Sequence, residues 1–172
     1  AATQLPLYDW ARQHQFVTAA IEGAHLASSA FFLGAIALLD LRVLGVGRQL
    51  VVARLARLTL SLALAAFVLV ALTGLFMFGL SAPKWLATPE FALKMTLIAI
   101  GGSNAAALHL TAWRRRDIWG AAGMRAPRSA RLLAAASLTI WLGVAILGRY
   151  LGYALLTPDR LYSEQELEQL LA

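Results

Sequence analysis

Glu22 and His25 stand three residues apart in the stretch IEGAHLASSAFFLGAIALLDLRVLG, residues 21–45. On an α-helix that spacing puts a carboxylate and an imidazole on one face, one turn apart. Such a pair can hold a metal in a helical bundle. By itself it is a weak signal, because a di-metal site needs a second Glu-x-x-His and two more carboxylates. The sequence supplies neither. At about 100° per residue, Ser29, Ile36 and Asp40 fall on the same face as Glu22 and His25.

Further along, Lys94 and His109 stand near the two ends of another apolar segment, with Asn104 between them, and Arg149 interrupts a last one. An ionisable group inside a bilayer costs about 2.5–3.5 kcal/mol on insertion scales, so each needs a function or a partner. Histidine in a membrane helix suggests haem b, with neutral imidazole as axial ligand. Arg149 and Lys94 could then pair with the propionates. Depth opposes a single haem held by His25 and His109: at 1.5 Å per residue they differ by roughly 20 Å.

Three arrangements remain open. Two haems, one per leaflet, could each take a second ligand elsewhere, with Met77 or Met95 facing His25. His14 could fold back onto His25 if the helix breaks near Gln15. The histidines could instead serve a quinone, since imidazole near Glu and Lys suits quinol deprotonation. Plainer readings stand beside these. Arg149 could snorkel to the headgroups, and Asp40 and Arg42 could pair with loop groups. Gly101, Gly102, Ala105 and Ala106 could admit a neighbouring helix or leave room for a flat cofactor. Asn104 needs a hydrogen-bond partner at its depth.

The elements that position these groups are legible from apolar run lengths. About 20 residues cross a bilayer core. Spans are expected at about 16–44, 52–80, 90–113 and 130–156. The first run has no basic flank before it and no small-residue cleavage site after it, so it is expected to stay as a helix. Tyr8, Trp10 and Phe16 suit an interfacial helix over 5–15. Ser163 and Glu166 are at capping-box spacing, predicting an amphipathic helix over 163–171. The chain reads as one membrane domain, 1–172.

Composition agrees. Of 172 residues, 60% are hydrophobic and only 14% charged, and there is no cysteine. Disulfides, iron–sulfur clusters and thioether-bound haem are thereby excluded. The net charge of +6 fits basic membrane loops better than nucleic-acid binding. Arg42, Arg48, Arg54 and Arg57 mark the first connection, and Arg114, Arg115, Arg116, Arg125, Arg128 and Arg131 the third. The second holds only Lys84. The positive-inside rule puts connections one and three in the cytoplasm and both termini in the periplasm.

The fragments DLRVLG (40–45), NAAALH (104–109) and GRYLGY (148–153) resemble an uncharacterised bacterial four-helix integral membrane family. That family is related to the copper-resistance D-type membrane domain and, more distantly, to di-haem cytochrome b561-like proteins. The resemblance covers about Phe16 to Tyr153, with His25, Asp40, Arg42, Lys94, Asn104, His109 and Arg149 as matching positions. It implies a membrane redox or metal-handling role. The chain departs from the cytochrome pattern in having no histidine in its second and fourth spans. It departs from copper importers in lacking Met-rich or multi-His outer loops.

The expectation is an all-α antiparallel four-helix bundle in a bacterial inner membrane, acting as a small electron-transfer subunit with haem b or quinone. Expected cofactor-binding residues are His25, His109, Arg149, Lys94 and Asn104. His25 and His109 are candidate iron ligands, and Glu22 is a weaker metal ligand. Partners would be the lipid bilayer and other membrane or periplasmic redox subunits. The alternatives are an accessory or assembly subunit of a larger complex, or a copper- or proton-handling membrane protein.

Overall fold

The computed structural model describes residues 6–154, and throughout them the protein is helical, with no strand. Helix α1 (Pro6–Gln13) stops at His14. The backbone of His14 leaves the helical region, at φ −114° and ψ 79°. Then come α2 (Gln15–Leu44), α3 (Val52–Leu80), α4 (Ala82–Leu86), α5 (Pro89–Leu110), a 3-10 turn (Ala112–Arg115), α6 (Arg116–Trp119) and α7 (Arg128–Ala154). Four helical stretches are long and apolar enough to cross a membrane: α2, α3, α5 with its continuation to Trp119, and α7. The helix expected over 163–171 lies outside the described residues.

Within the third span, helix α5 itself closes at Leu110, where Thr111 adopts φ −109° and ψ −93°. The chain then tightens into the 3-10 turn, which carries Arg114 and Arg115. This lets Trp113 and Trp119 fold under the bundle, edge to face at 6.3 Å. The Trp119 indole N–H donates to the Ala112 carbonyl at 3.1 Å.

Across the bundle, α2 packs on α3 and on α7, and α7 packs on α5. Helices α3 and α5 meet at one end, where Phe78 stacks on Phe91 at 5.7 Å, and are not packed along each other beyond it. Small residues set how close the helices come. A Cβ on Gly101 would stand 3.0 Å from the Trp141 ring, so α5 and α7 touch there because glycine allows it. Asn104 Nδ2 donates to the Leu133 carbonyl of α7 at 3.0 Å, which gives Asn104 its intramembrane partner.

The core lies at the end of the bundle that bears the basic connections. It combines Leu39, Val43, Val52, Ala56, Trp113, Trp119, Ala130 and Ala134. Beside it sits Arg42, only 1% exposed. Arg42 Nε donates to Leu50 O at 2.7 Å and Nη2 to Ala121 O at 3.1 Å. One guanidinium therefore ties α2 to both basic connections. Backbone bonds reinforce the tie: Val52 N–H to Gly120 O at 2.9 Å and Gly123 N–H to Arg48 O at 2.8 Å. Gly45, at φ +114°, ends α2 in the left-handed region and donates to Leu41 and Arg42 carbonyls. A side chain there would be strained.

At the opposite end, α1 folds back on α3. Tyr8 lies over Gly79, where there is no room for a Cβ, and packs at 5.5 Å from Phe76.

Replacing Arg42 by Met would keep the side-chain volume but leave the Leu50 carbonyl without its donor and the Ala121 carbonyl with the Met124 N–H alone. Hydrogen bonds to a charged group are worth about 1.5–3 kcal/mol each. Arg42→Met should therefore lower stability by about 2–4 kcal/mol in a reversible detergent-denaturation titration.

Candidate functional site

The polar groups gather in two places, one in each half of the bundle. The first centres on His25, half-buried between α2 and α3. Its Nδ1 lies 2.9 Å from the Thr73 hydroxyl oxygen. The Thr73 hydroxyl has one hydrogen, and it donates that within α3, at 2.7 Å to Leu69 O. With that hydrogen directed to Leu69 O, Thr73 accepts from His25 and the proton sits on Nδ1, and the ring is also bonded to the Val70 backbone. The ring fits because position 74 is glycine: a Cβ there would stand 3.1 Å from His25 Cε1. Lys94 reaches inward from α5, close enough for its charge to act on His25. It comes near enough to α7 that a Cβ on Gly148 would be 3.4 Å from Nζ.

Glu22 and Arg149 do not join this group. Glu22 is exposed. Among the described residues no three His, Cys, Asp or Glu side chains come together as a metal site. Arg149 is exposed as well. Its guanidinium stacks over the Tyr153 ring at 4.0 Å and donates to the Tyr153 hydroxyl. The helix does break beside Gln15, at His14, yet His14 does not turn to His25. It stacks on Trp10 at 4.5 Å and bonds to the Trp10 carbonyl at 2.8 Å. Met95 is 48% exposed, on the outer surface of α5.

The second place is a groove of about 260 Å³ in the half nearer the basic end. Its walls come from all four long helices, and it opens on the side where α3 and α5 do not pack. Phe32, Phe67 and Trp141 form an aromatic end wall. Phe32 lies edge to face with Trp141 at 4.7 Å and 5.5 Å from Phe67. Gly102 and Ala105 keep the α5 wall low, and a Cβ on Gly102 would meet nothing within 4 Å. Gly101 and Gly102 therefore serve separate purposes, the first admitting α7 and the second opening the groove.

Four polar side chains line this otherwise apolar space: Asp40, Asn104, His109 and Ser137. Asp40 is 4% exposed. The Ser137 hydroxyl lies against its carboxyl, but Oδ2 has no hydrogen-bond partner. Buried carboxyl oxygens are almost always satisfied, so an orphan in an apolar groove calls for a donor from outside the chain. His109 stands exposed at the rim. Asp40 and Arg42 do not pair: Arg42 turns to the loop carbonyls and Asp40 to the groove.

Sequence reasoning singled out Asn104 and His109 and placed Asp40 on the inward stripe. It missed Ser137 and the aromatic wall. The available signal was Ser137, one of two hydroxyls in LLAAASLTIWLG and one turn before Trp141.

His25 and His109 belong to separate groups and His14 is engaged by Trp10, so the three histidines are not brought together as a pair of axial ligands.

The His25 tautomer is open to direct measurement. Nitrogen-15 shifts of selectively labelled protein should put the proton on Nδ1. Thr73→Val should abolish that preference while the helices stay intact.

No protein-family model matches the chain, and no curated protein or solved structure matches it either.

Proposed function

We propose that this chain is a membrane-embedded subunit of a redox complex that binds the headgroup of a lipid-soluble quinone in the groove beside Asp40. The observation that carries the reading is Asp40 Oδ2, buried and without a donor in an apolar space with one aromatic wall. A quinol hydroxyl is such a donor. The ring would lie against Phe32, Phe67 and Trp141, and its isoprenoid tail would leave between α3 and α5 into lipid.

Oxidation of a quinol to a quinone releases two protons and two electrons. Asp40 would take the proton of the hydroxyl bonded to it, His109 at the rim would take that of the other hydroxyl, and both protons would pass on to water. The electrons would go to a one-electron carrier, a haem or an iron–sulfur centre, on a partner subunit. This chain has no cysteine to hold such a cluster.

The basic connections orient the chain with that end in the cytoplasm of a bacterial cell and both termini in the periplasm. The groove would then lie in the cytoplasmic leaflet. The role of accessory or assembly subunit draws on a different observation: only 6% of the third span's most apolar window is buried inside the chain. That face has to meet either lipid or another subunit.

Solvent extraction of the purified protein, with chromatographic quantification, should recover close to one quinone per chain. Gly102→Leu fills the groove at a position with free space, so the fold should survive. It should cut quinone retention at least tenfold. Asp40→Leu should weaken binding by about tenfold, the equivalent of about 1.4 kcal/mol. Absence of quinone from the wild type, even after incubation with a short-tailed analogue, would reject the reading. Retention unchanged by Gly102→Leu would place the quinone elsewhere.

A further inference from the structure

The third connection builds a second concavity, unrelated to the quinone groove. Arg114 and Arg115 from the 3-10 turn and Arg125 from the loop before α7 line a cleft of about 710 Å³, together with Leu110, Ile118 and Trp119. No acidic residue lines it. Arg116, next in the run, is committed elsewhere: it lies over the Trp113 ring at 5.5 Å and donates to the Trp113 carbonyl. Arg114, Arg115 and Arg125 are exposed. Among the described residues none of the three is held by an ion pair or a hydrogen bond.

Position decides what such a cleft can bind. Leu110 is the last residue of α5, a span-length helix, so the cleft opens at the boundary between the apolar slab and water. Two of its apolar side chains are left uncovered there, Leu110 at 60% and Ile118 at 71% exposed. Three unpaired guanidiniums beside exposed aliphatic groups match a molecule that is anionic at one end and hydrocarbon at the other. Guanidinium forks suit phosphate oxygens in particular. Basic pockets at the ends of membrane helices are a known form of anionic-lipid site.

We propose that this cleft is a binding site for an anionic phospholipid. The phosphate sits among Arg114, Arg115 and Arg125, and an acyl chain runs along Leu110 and Ile118. Occupancy would pin the third connection to the membrane surface. Because that connection is laced to the first through Ala121 and Gly123, a bound lipid would brace the whole basic end.

The test is native mass spectrometry of the purified full chain from mixed micelles. The micelles are doped in turn with diphosphatidylglycerol, phosphatidylglycerol and phosphatidylcholine of matched acyl chains. The two anionic lipids should be retained at least tenfold over phosphatidylcholine, and rising salt should weaken their retention. R114Q/R115Q/R125Q should abolish the preference, whereas R54Q/R57Q, in the first turns of α3, should keep it. Millimolar inorganic phosphate should not displace the lipid. Equal retention of phosphatidylcholine by the wild type would overturn the proposal without any variant. So would an undiminished preference in the triple variant, or displacement by inorganic phosphate, which would mark a site for a soluble anion.

Discussion

The buried guanidinium of Arg42 holds the architecture together. It has no carboxylate beside it and is neutralised by backbone dipoles from two separate connections. Burying a charge is costly, so the carbonyls that Nε and Nη2 reach hold the connections in the arrangement that presents them, while Nη1 has no partner. The hairpin of α2 and α3 is thereby joined to the hairpin of α5 and α7 at one end. Everything nearer the centre of the bundle, the groove included, takes its spacing from that joint.

Between membrane helices there is little hydrophobic drive, since lipid is as apolar as leucine. Contacts form where small residues or polar links permit them. Gly101 under Trp141 and Asn104 on Leu133 seat α5 on α7. α3 meets α5 where Phe78 stacks on Phe91 at 5.7 Å, beside the short α4 that joins them, but the two are not packed along their length. The groove follows from that difference. Its floor is the α2–α7 seam, where Asp40 and Ser137 meet.

The ionisable groups resolve differently from one another, and helical phase explains how. Asp40 and Arg42 are two residues apart, so their side chains leave α2 about 200° apart. One enters the groove, and the other reaches the loops. Glu22 and His25 are one turn apart, yet only His25 points far enough inward to reach Thr73. Arg149 and Tyr153 are four apart and pair on the surface.

By itself, the sequence determined the helical class, the four long apolar stretches and the stripe on α2 that carries His25 and Asp40, because run length and a period of 3.6 residues are local properties. It also marked Asn104 as a buried polar group in need of a partner. Only the tertiary structure decided which partners were chosen. The turning of His14 to Trp10 and the joining of Phe32, Phe67, Asp40 and Ser137 around one cavity both depend on which helices pack and at what rotation. Those are set by contacts between residues far apart in the chain. Two adjacent glycines carry the difference. Identical in sequence and both helical, Gly101 and Gly102 face about 100° apart, and only the placement of α7 makes one a packing surface and the other the wall of a groove.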